Sequence, residues 1–98
     1  MFPKKIGKPI QEQIESASDG LPERIEVGVV FTPKEVNPRW FTWQGRRYKI
    51  EEVTYTWTER EGKTRLHFFA VTDGANFFKL CYNSETLRWS LWEVFSDQ

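Results

Sequence analysis

The feature that most constrains the fold is a series of short apolar segments that begins at Ile25. These segments are rich in β-branched and aromatic residues, which favour strands, and turn residues separate them at short intervals. Their spans are 25–31, 39–43, 48–57, 65–72, 77–82 and 87–95. Short strands with short connections are typical of a meander that curls on itself. The sequence therefore predicts an all-β fold, a single small curled antiparallel sheet or barrel of about six strands.

Two dipeptides mark hairpin turns between these segments. Gln44-Gly45 separates two aromatic runs, and Asp73-Gly74 is a strong hairpin signal because both residue types tolerate a positive φ. A two-residue turn at Asp73-Gly74 pairs His67 with Leu80 and Cys81 with Leu66. This register predicts that His67 and Cys81 lie on opposite faces of the sheet.

Two segments change the parity of their apolar residues and so predict bulges. Tyr48 and Ile50 share one parity, whereas Val53, Tyr55 and Trp57 share the other. An extra residue at Glu51–Glu52 would restore one buried face. The last segment changes parity between Leu91 and Trp92 in the same way, which predicts a second bulge.

The first 22 residues differ in composition from the remainder of the chain. They hold three of the five prolines and none of the five tryptophans. We interpret residues 1–22 as a loosely ordered, flexible N-terminal arm and residues 23–98 as one β-barrel-like domain.

Several absences bear on the compartment and on partners. No apolar run approaches the roughly 20 residues that span a bilayer, and no apolar stretch follows the lysines near Met1. The single cysteine excludes an intrachain disulfide framework. We therefore expect a cytoplasmic protein without a membrane partner.

The residue types that carry most enzyme chemistry are sparse. His67 is the only histidine, and Cys81 lies in an apolar strand, where a thiol behaves as a small hydrophobe. One His and one Cys cannot supply the usual zinc ligands, and no phosphate-binding glycine loop is present. The sequence predicts no catalytic residue, no metal, no cofactor and no enzyme activity.

Charge is distributed unevenly, although 14 basic residues balance 14 acidic ones. Residues 39–50 contain four basic residues and no acid, a local charge of +4, and tryptophan, phenylalanine and tyrosine lie among them. Basic and aromatic side chains on a small barrel are a common way to hold single-stranded nucleic acid. The other interpretation of the same pattern is that the aromatic side chains belong to the core and the charged side chains lie on the solvated face of a hairpin. The candidate nucleic-acid-binding residues are Arg39, Trp40, Arg46, Arg47 and Lys49.

The aromatic fraction, 16% of the residues, suggests another class of function. Aromatic side chains beyond those needed in a small core form exposed patches for a partner protein or a second copy of the chain. Trp57 and Trp92 are the candidates for such an interaction patch. A protein-interaction or homodimerisation module is therefore the alternative to nucleic-acid binding.

Two sets of segments resemble known families. The runs 21–25, 67–74 and 80–95 together resemble the C-terminal β-domain of ImuB-type proteins, inactive relatives of Y-family DNA polymerases that act in damage-induced mutagenesis. The run 41–50, with Val53 and Trp57, contains a Trp-x-Gly-x-x-Tyr pattern that resembles small uncharacterised bacterial β-domains. These resemblances imply a small β-domain whose partner is a DNA-processing protein, and they imply no catalytic residue.

Overall fold

The computed structural model describes residues 20–96, and within them it contains seven strands and no helix. All pairings are antiparallel, and the strand order across the sheet is β3-β2-β1-β7-β6-β5-β4. The predicted all-β fold with one antiparallel sheet is confirmed. The strands are β1 Glu23–Phe31, β2 Val36–Trp43, β3 Arg46–Lys49, β4 Glu52–Glu61, β5 Thr64–Thr72, β6 Asn76–Asn83 and β7 Arg88–Ser96.

The sheet curls around a core on its inner face. Strands β2 and β6 are three positions apart in the sheet, a separation of about 14 Å if it were flat. The rings of Phe41 on β2 and Phe78 on β6 nevertheless lie 4.9 Å apart between centroids. Both are almost completely buried, as are Leu80 and Leu91. The interior is therefore filled by side chains.

The seventh strand arises where the sequence predicted one bent strand over 48–57. The N–H of Ile50 donates to Arg39 on β2, whereas the N–H of the next residue, Glu51, donates to Thr72 on β5. The chain thus leaves one edge of the sheet and joins the other within two residues. Because β3 and β4 are those two edges, the sheet is curled but not closed within residues 20–96.

Bulges set the faces of the aromatic residues on β4 and β7. The bend at Ile50–Glu51 lets Val53 pack on the inner core, as the sequence predicted. A further bulge between Val53 and Tyr55 then turns Tyr55 and Trp57 to the outer face, which was not predicted. The bulge predicted in the last strand is confirmed, because Leu91 and Glu93 pair with consecutive residues of β6 and Trp92 is the extra residue.

The β5–β6 connection corrects the predicted two-residue turn at Asp73-Gly74. Thr72 pairs with Phe77, so four residues rather than two separate the last paired positions of the hairpin. The carboxylate of Asp73 accepts hydrogen bonds from the N–H groups of Ala75 and Asn76 at 2.9 and 2.7 Å, which lengthens the loop. The register moves by two residues, and a shift of two leaves every side chain on its predicted face.

Residues 1–19 of the predicted arm, and residues 97 and 98 of the predicted domain, lie outside the described residues. Of the remaining arm residues, Leu21 packs against the inner core. Within residues 20–96, no helix is long and apolar enough to cross a bilayer.

Candidate nucleic-acid interface

The β2–β3 hairpin presents most of the predicted basic residues. Gln44 and Gly45 form its two-residue turn with φ of 54° and 76°, as the sequence predicted. Trp40 pairs with Lys49, and Thr42 pairs with Arg47. Phe41 belongs to the inner core. Alternation along the strands therefore places Trp40, Arg47 and Lys49 together on the outer face.

The indole of Trp40 is held between two neighbours on this face. Gly28, its partner on β1, contacts the ring so closely that a Cβ there would overlap the indole. On β3, the guanidinium carbon of Arg47 lies 4.0 Å from the ring centroid, a stacked cation–π arrangement. We call these two residues the Trp40–Arg47 pair. Trp40 is only partly exposed, whereas Arg47 is exposed to solvent.

The other two predicted basic residues occupy different positions. Arg39 is the extra residue of a bulge in β2, next to Trp40, and is exposed. Arg46 lies on the opposite side of β3, where its guanidinium is 5.3 Å from the ring centroid of Tyr48. Tyr48 packs against the inner core. The structure thus brings together four of the five candidates and separates Arg46 from them.

Two further arginines that the sequence analysis missed border the same face. Strand β1 pairs with β7 only through residues 23–25 and then diverges from it to pair with β2. The divergence opens a surface groove of about 540 Å³ beside Trp40. Arg24, Glu26, Leu87 and Arg88 are exposed residues along it.

The basic groups of this surface lack carboxylate partners among the described residues. Between residues 20 and 96, the structure contains one ion pair, Lys79 with Glu93 on β6 and β7 in the other half of the sheet. Arg24, Arg47 and Arg88 therefore have no carboxylate within 4 Å in this part of the chain. Their charge remains available to an anionic ligand.

The predicted interaction patch lies on the outer face of the other half of the sheet. Trp57 and Trp92 both contact Phe68, at 5.3 and 5.2 Å between ring centroids, and both are half-buried. Lys79 lies among the three rings, with its Nζ 5.1 to 5.8 Å from their centroids. We call these residues, together with Glu93, the Lys79 cluster.

The Lys79 cluster is closed by its own contacts. Lys79 Nζ lies 3.7 Å from Glu93 Oε2, and their side chains are only 14% and 6% exposed. Burial raises the pKa of Glu93 above its usual value, and the positive charge of Lys79 opposes part of that rise. The indole N–H of Trp92 donates to Ser90 Oγ at 2.9 Å. These contacts make the cluster a second packed layer outside the sheet.

His67 and Cys81 lie on opposite faces, as predicted, although the pairing differs. Phe68 pairs with Cys81 and His67 with Tyr82, so the hairpin is two residues out of the predicted register. Burial raises the pKa of the Cys81 thiol to about 11, which leaves little thiolate at neutral pH. No group of three metal-ligating side chains occurs within residues 20–96.

A larger cleft of about 640 Å³ lies between the middle of β4 and the β1–β2 loop. Its lining combines four aromatic residues with polar and charged ones: Tyr55, Trp57, Phe68, Phe69, Thr54, Thr56, Thr58, His67, Lys34 and Glu35. One lysine and one glutamate balance each other there, so the cleft has no excess of positive charge to attract phosphates. The basic outer face of β1–β2–β3 is therefore the more specific candidate site.

Comparison of the chain with protein-family models, with curated proteins and with solved structures found no match.

Proposed function

We propose that this chain is a non-enzymatic domain that binds single-stranded nucleic acid on the outer face of β1, β2 and β3. The observation that carries the proposal is the Trp40–Arg47 pair, surrounded by basic side chains that have no carboxylate partner within the described residues. Exposed, unneutralised arginines and lysines attract phosphates and release counterions on binding.

The pair suggests how a base would be held. Bases of single strands stack on aromatic rings and on the planar guanidinium of arginine. Because Gly28 contacts the indole, the Arg47 guanidinium offers the accessible plane. A base stacked on Arg47 would extend the existing stack, while Arg39 and Lys49 reach the neighbouring phosphates. Duplex DNA keeps its bases stacked and offers no free face of this kind.

The resemblance to ImuB-type C-terminal domains supports the same proposal. Those proteins act in damage-induced mutagenesis, so a DNA-processing protein is a natural partner for a domain that holds single strands. We also propose that the protein acts in the cytoplasm of a bacterial cell.

The test compares two adjacent arginines, Arg46 and Arg47, that lie on opposite faces of β3. Fluorescence anisotropy would follow a labelled single strand of about 20 nucleotides, long enough for one small β-domain. We expect Arg47→Ala to weaken binding about tenfold, the loss of one stacked base and one phosphate contact. Arg46→Ala, with the same change in charge on the other face, should have a much smaller effect.

Salt dependence supplies the second criterion. The logarithm of the affinity should fall linearly with the logarithm of salt concentration, by about 0.7 for each phosphate contacted on a single strand. Absence of binding to DNA or RNA at about 50 mM salt would refute the proposal. Equal losses in the two arginine variants would refute the assigned face.

Homodimerisation is the second candidate, and one observation favours it. Tyr55 is 51% exposed on edge strand β4, where its ring lies 5.4 Å from that of Trp57. An exposed aromatic on a sheet edge is a suitable contact for a second copy. Light scattering of the wild type and of Tyr55→Asp tests this: a dimer that the substitution dissociates supports it, and a monomer at high concentration excludes it.

A further inference from the structure

One residue beside the groove has a conformation that its side chain does not favour. Leu87 has a φ of 61°, in the left-handed region where glycine and asparagine are the common residues. Its N–H donates to the carbonyl of Asn83 at 2.7 Å. The Asn83 side chain accepts the N–H groups of Glu85 and Thr86, so the turn holds Leu87 firmly in this conformation.

Packing does not account for the leucine either. Its side chain is 71% exposed, the largest exposure among the large apolar residues within 20–96. A glycine there would avoid the steric cost, and a polar residue would suit the exposure. A bulky apolar side chain kept in an unfavourable conformation at the surface points to a contact outside the folded chain.

The surroundings of Leu87 indicate the chemistry of that contact. Leu87 and Arg88 line one side of the groove, and Trp40 and Glu26 line the other. Arg24 lies opposite Ser90 at the closed end, where β1 and β7 still pair. The groove therefore combines apolar surface, one carboxylate and two cations that have no carboxylate within 4 Å among residues 20–96.

We propose that this groove takes one base of the bound strand, with Leu87 as its apolar wall and Arg24 and Arg88 on the adjoining phosphates. The inference rests on the proposed function and extends that site from Trp40 across β1 to the β6–β7 turn. Glu26, which lies on the same face of β1 as Gly28, accepts the exocyclic amino group of the base. The groove thus favours bases with an exocyclic amino group over thymine, which has none.

The first experiment separates binding from stability. Leu87→Gly suits the φ of the position, so its unfolding midpoint should equal or exceed that of the wild type. Its affinity for the single strand should nevertheless fall about three- to tenfold, because an apolar contact is lost. Ser84→Ala, an exposed change in the same turn but outside the groove that also leaves the charge unaltered, is the control and should bind like the wild type.

Three outcomes distinguish this inference from the proposed function. A wild-type chain that binds no oligonucleotide refutes both. A chain whose affinity falls with Arg47→Ala but not with Leu87→Gly or Arg88→Ala keeps the proposed function and refutes the groove. Losses in all three variants, with Arg88→Ala also reducing the salt slope by about the value of one phosphate, support the groove.

The base preference tests the role of Glu26. Oligo-dC should bind several-fold more tightly than oligo-dT, since only cytosine presents an amino group to the carboxylate. Glu26→Ala should bring that ratio close to one, mainly by raising the affinity for oligo-dT through the loss of a negative charge. A wild-type ratio of one, or a ratio that Glu26→Ala leaves unchanged, would remove Glu26 from the site.

Discussion

The two halves of the sheet carry tryptophan and a basic residue on their outer faces, yet in opposite settings. In the Lys79 cluster, the ammonium lies among three rings and beside Glu93, and little of either charged side chain reaches solvent. In the Trp40–Arg47 pair, the guanidinium lies on a single ring and is exposed, with no carboxylate within 4 Å in the described chain.

The difference shows that residue type alone does not decide whether a tryptophan and a neighbouring basic residue stabilise the fold or bind a ligand. A buried cation needs a charged partner, because desolvation of an isolated charge costs several kcal/mol. An exposed cation keeps its hydration and can exchange it for a phosphate. We therefore expect substitutions in the Lys79 cluster to change stability, and substitutions in the Trp40–Arg47 pair to change binding.

The largest effect should come from Lys79→Met, which leaves the Glu93 carboxylate buried without its cation. We expect a loss of about 3 kcal/mol in the free energy of unfolding near neutral pH. Urea denaturation measures it, and Lys63→Met, in an exposed turn, should change stability by less than about 0.5 kcal/mol.

The pH dependence of that loss follows from the direction of the Glu93 shift. Burial raises the pKa of Glu93 in the folded state, so its contribution to stability is complete below the unfolded pKa and is lost as the pH rises through the folded value. Removing Lys79 removes the group that opposes this shift. The destabilisation should therefore shrink as the pH is lowered from about 7 to about 5.

A double variant checks the cause. Replacing both partners, in Lys79→Met with Glu93→Leu, should recover most of the lost stability because no buried charge remains. A Lys79→Met protein that is as stable as the wild type near neutral pH would show that the buried Glu93 carboxylate does not need the Lys79 cation.

An intermediate effect should follow from Gly28→Ala, which pushes a methyl group into the Trp40 indole. We expect a loss of about 2 kcal/mol, typical of overpacking, and a changed tryptophan fluorescence. In a Trp40→Ala background the same substitution should be neutral or stabilising, since alanine suits a strand better than glycine. A loss of equal size in both backgrounds would show that the indole is not what Gly28 accommodates.

The smallest change in stability should come from Arg47→Ala, the variant with the largest expected effect on binding. An exposed cation–π contact contributes about 0.5 kcal/mol, so thermal unfolding should shift only slightly. A loss comparable to that of Lys79→Met would make the Trp40–Arg47 pair a packing element and end the contrast between the two halves.

The sequence was sufficient for features that depend on neighbouring residues. The Gln44-Gly45 hairpin and the change of face near Leu91 followed from turn chemistry and alternation. The loop after Thr72 did not, because the Asp73 carboxylate competes for backbone N–H groups in a way that the dipeptide does not reveal. The outward turn of Tyr55 depends on a bulge whose Thr54 hydroxyl bonds to Ala70 of the neighbouring strand.

The candidate site shows the same limit. Four of its predicted residues cluster because they belong to one bulged hairpin. Arg46 lies on the other face, because adjacent residues of a strand point to opposite sides. Arg24 and Arg88 come from opposite ends of the domain and meet only through the pairing of β1 with β7. No local pattern in the sequence predicts that pairing.

The short contact between β1 and β7 also bears on the order of assembly. Five of the six strand pairings within residues 20–96 join consecutive strands, and the sixth joins the first strand to the last through three residue pairs. Hairpins form from nearby residues, whereas this contact must close a long loop. The groove exists only once β1 has paired with β7, so a ligand bound there stabilises the state of the chain in which this pairing has formed. Such a ligand should slow amide hydrogen exchange at residues 23–25 and 89–91, far more than at the tips of the hairpins.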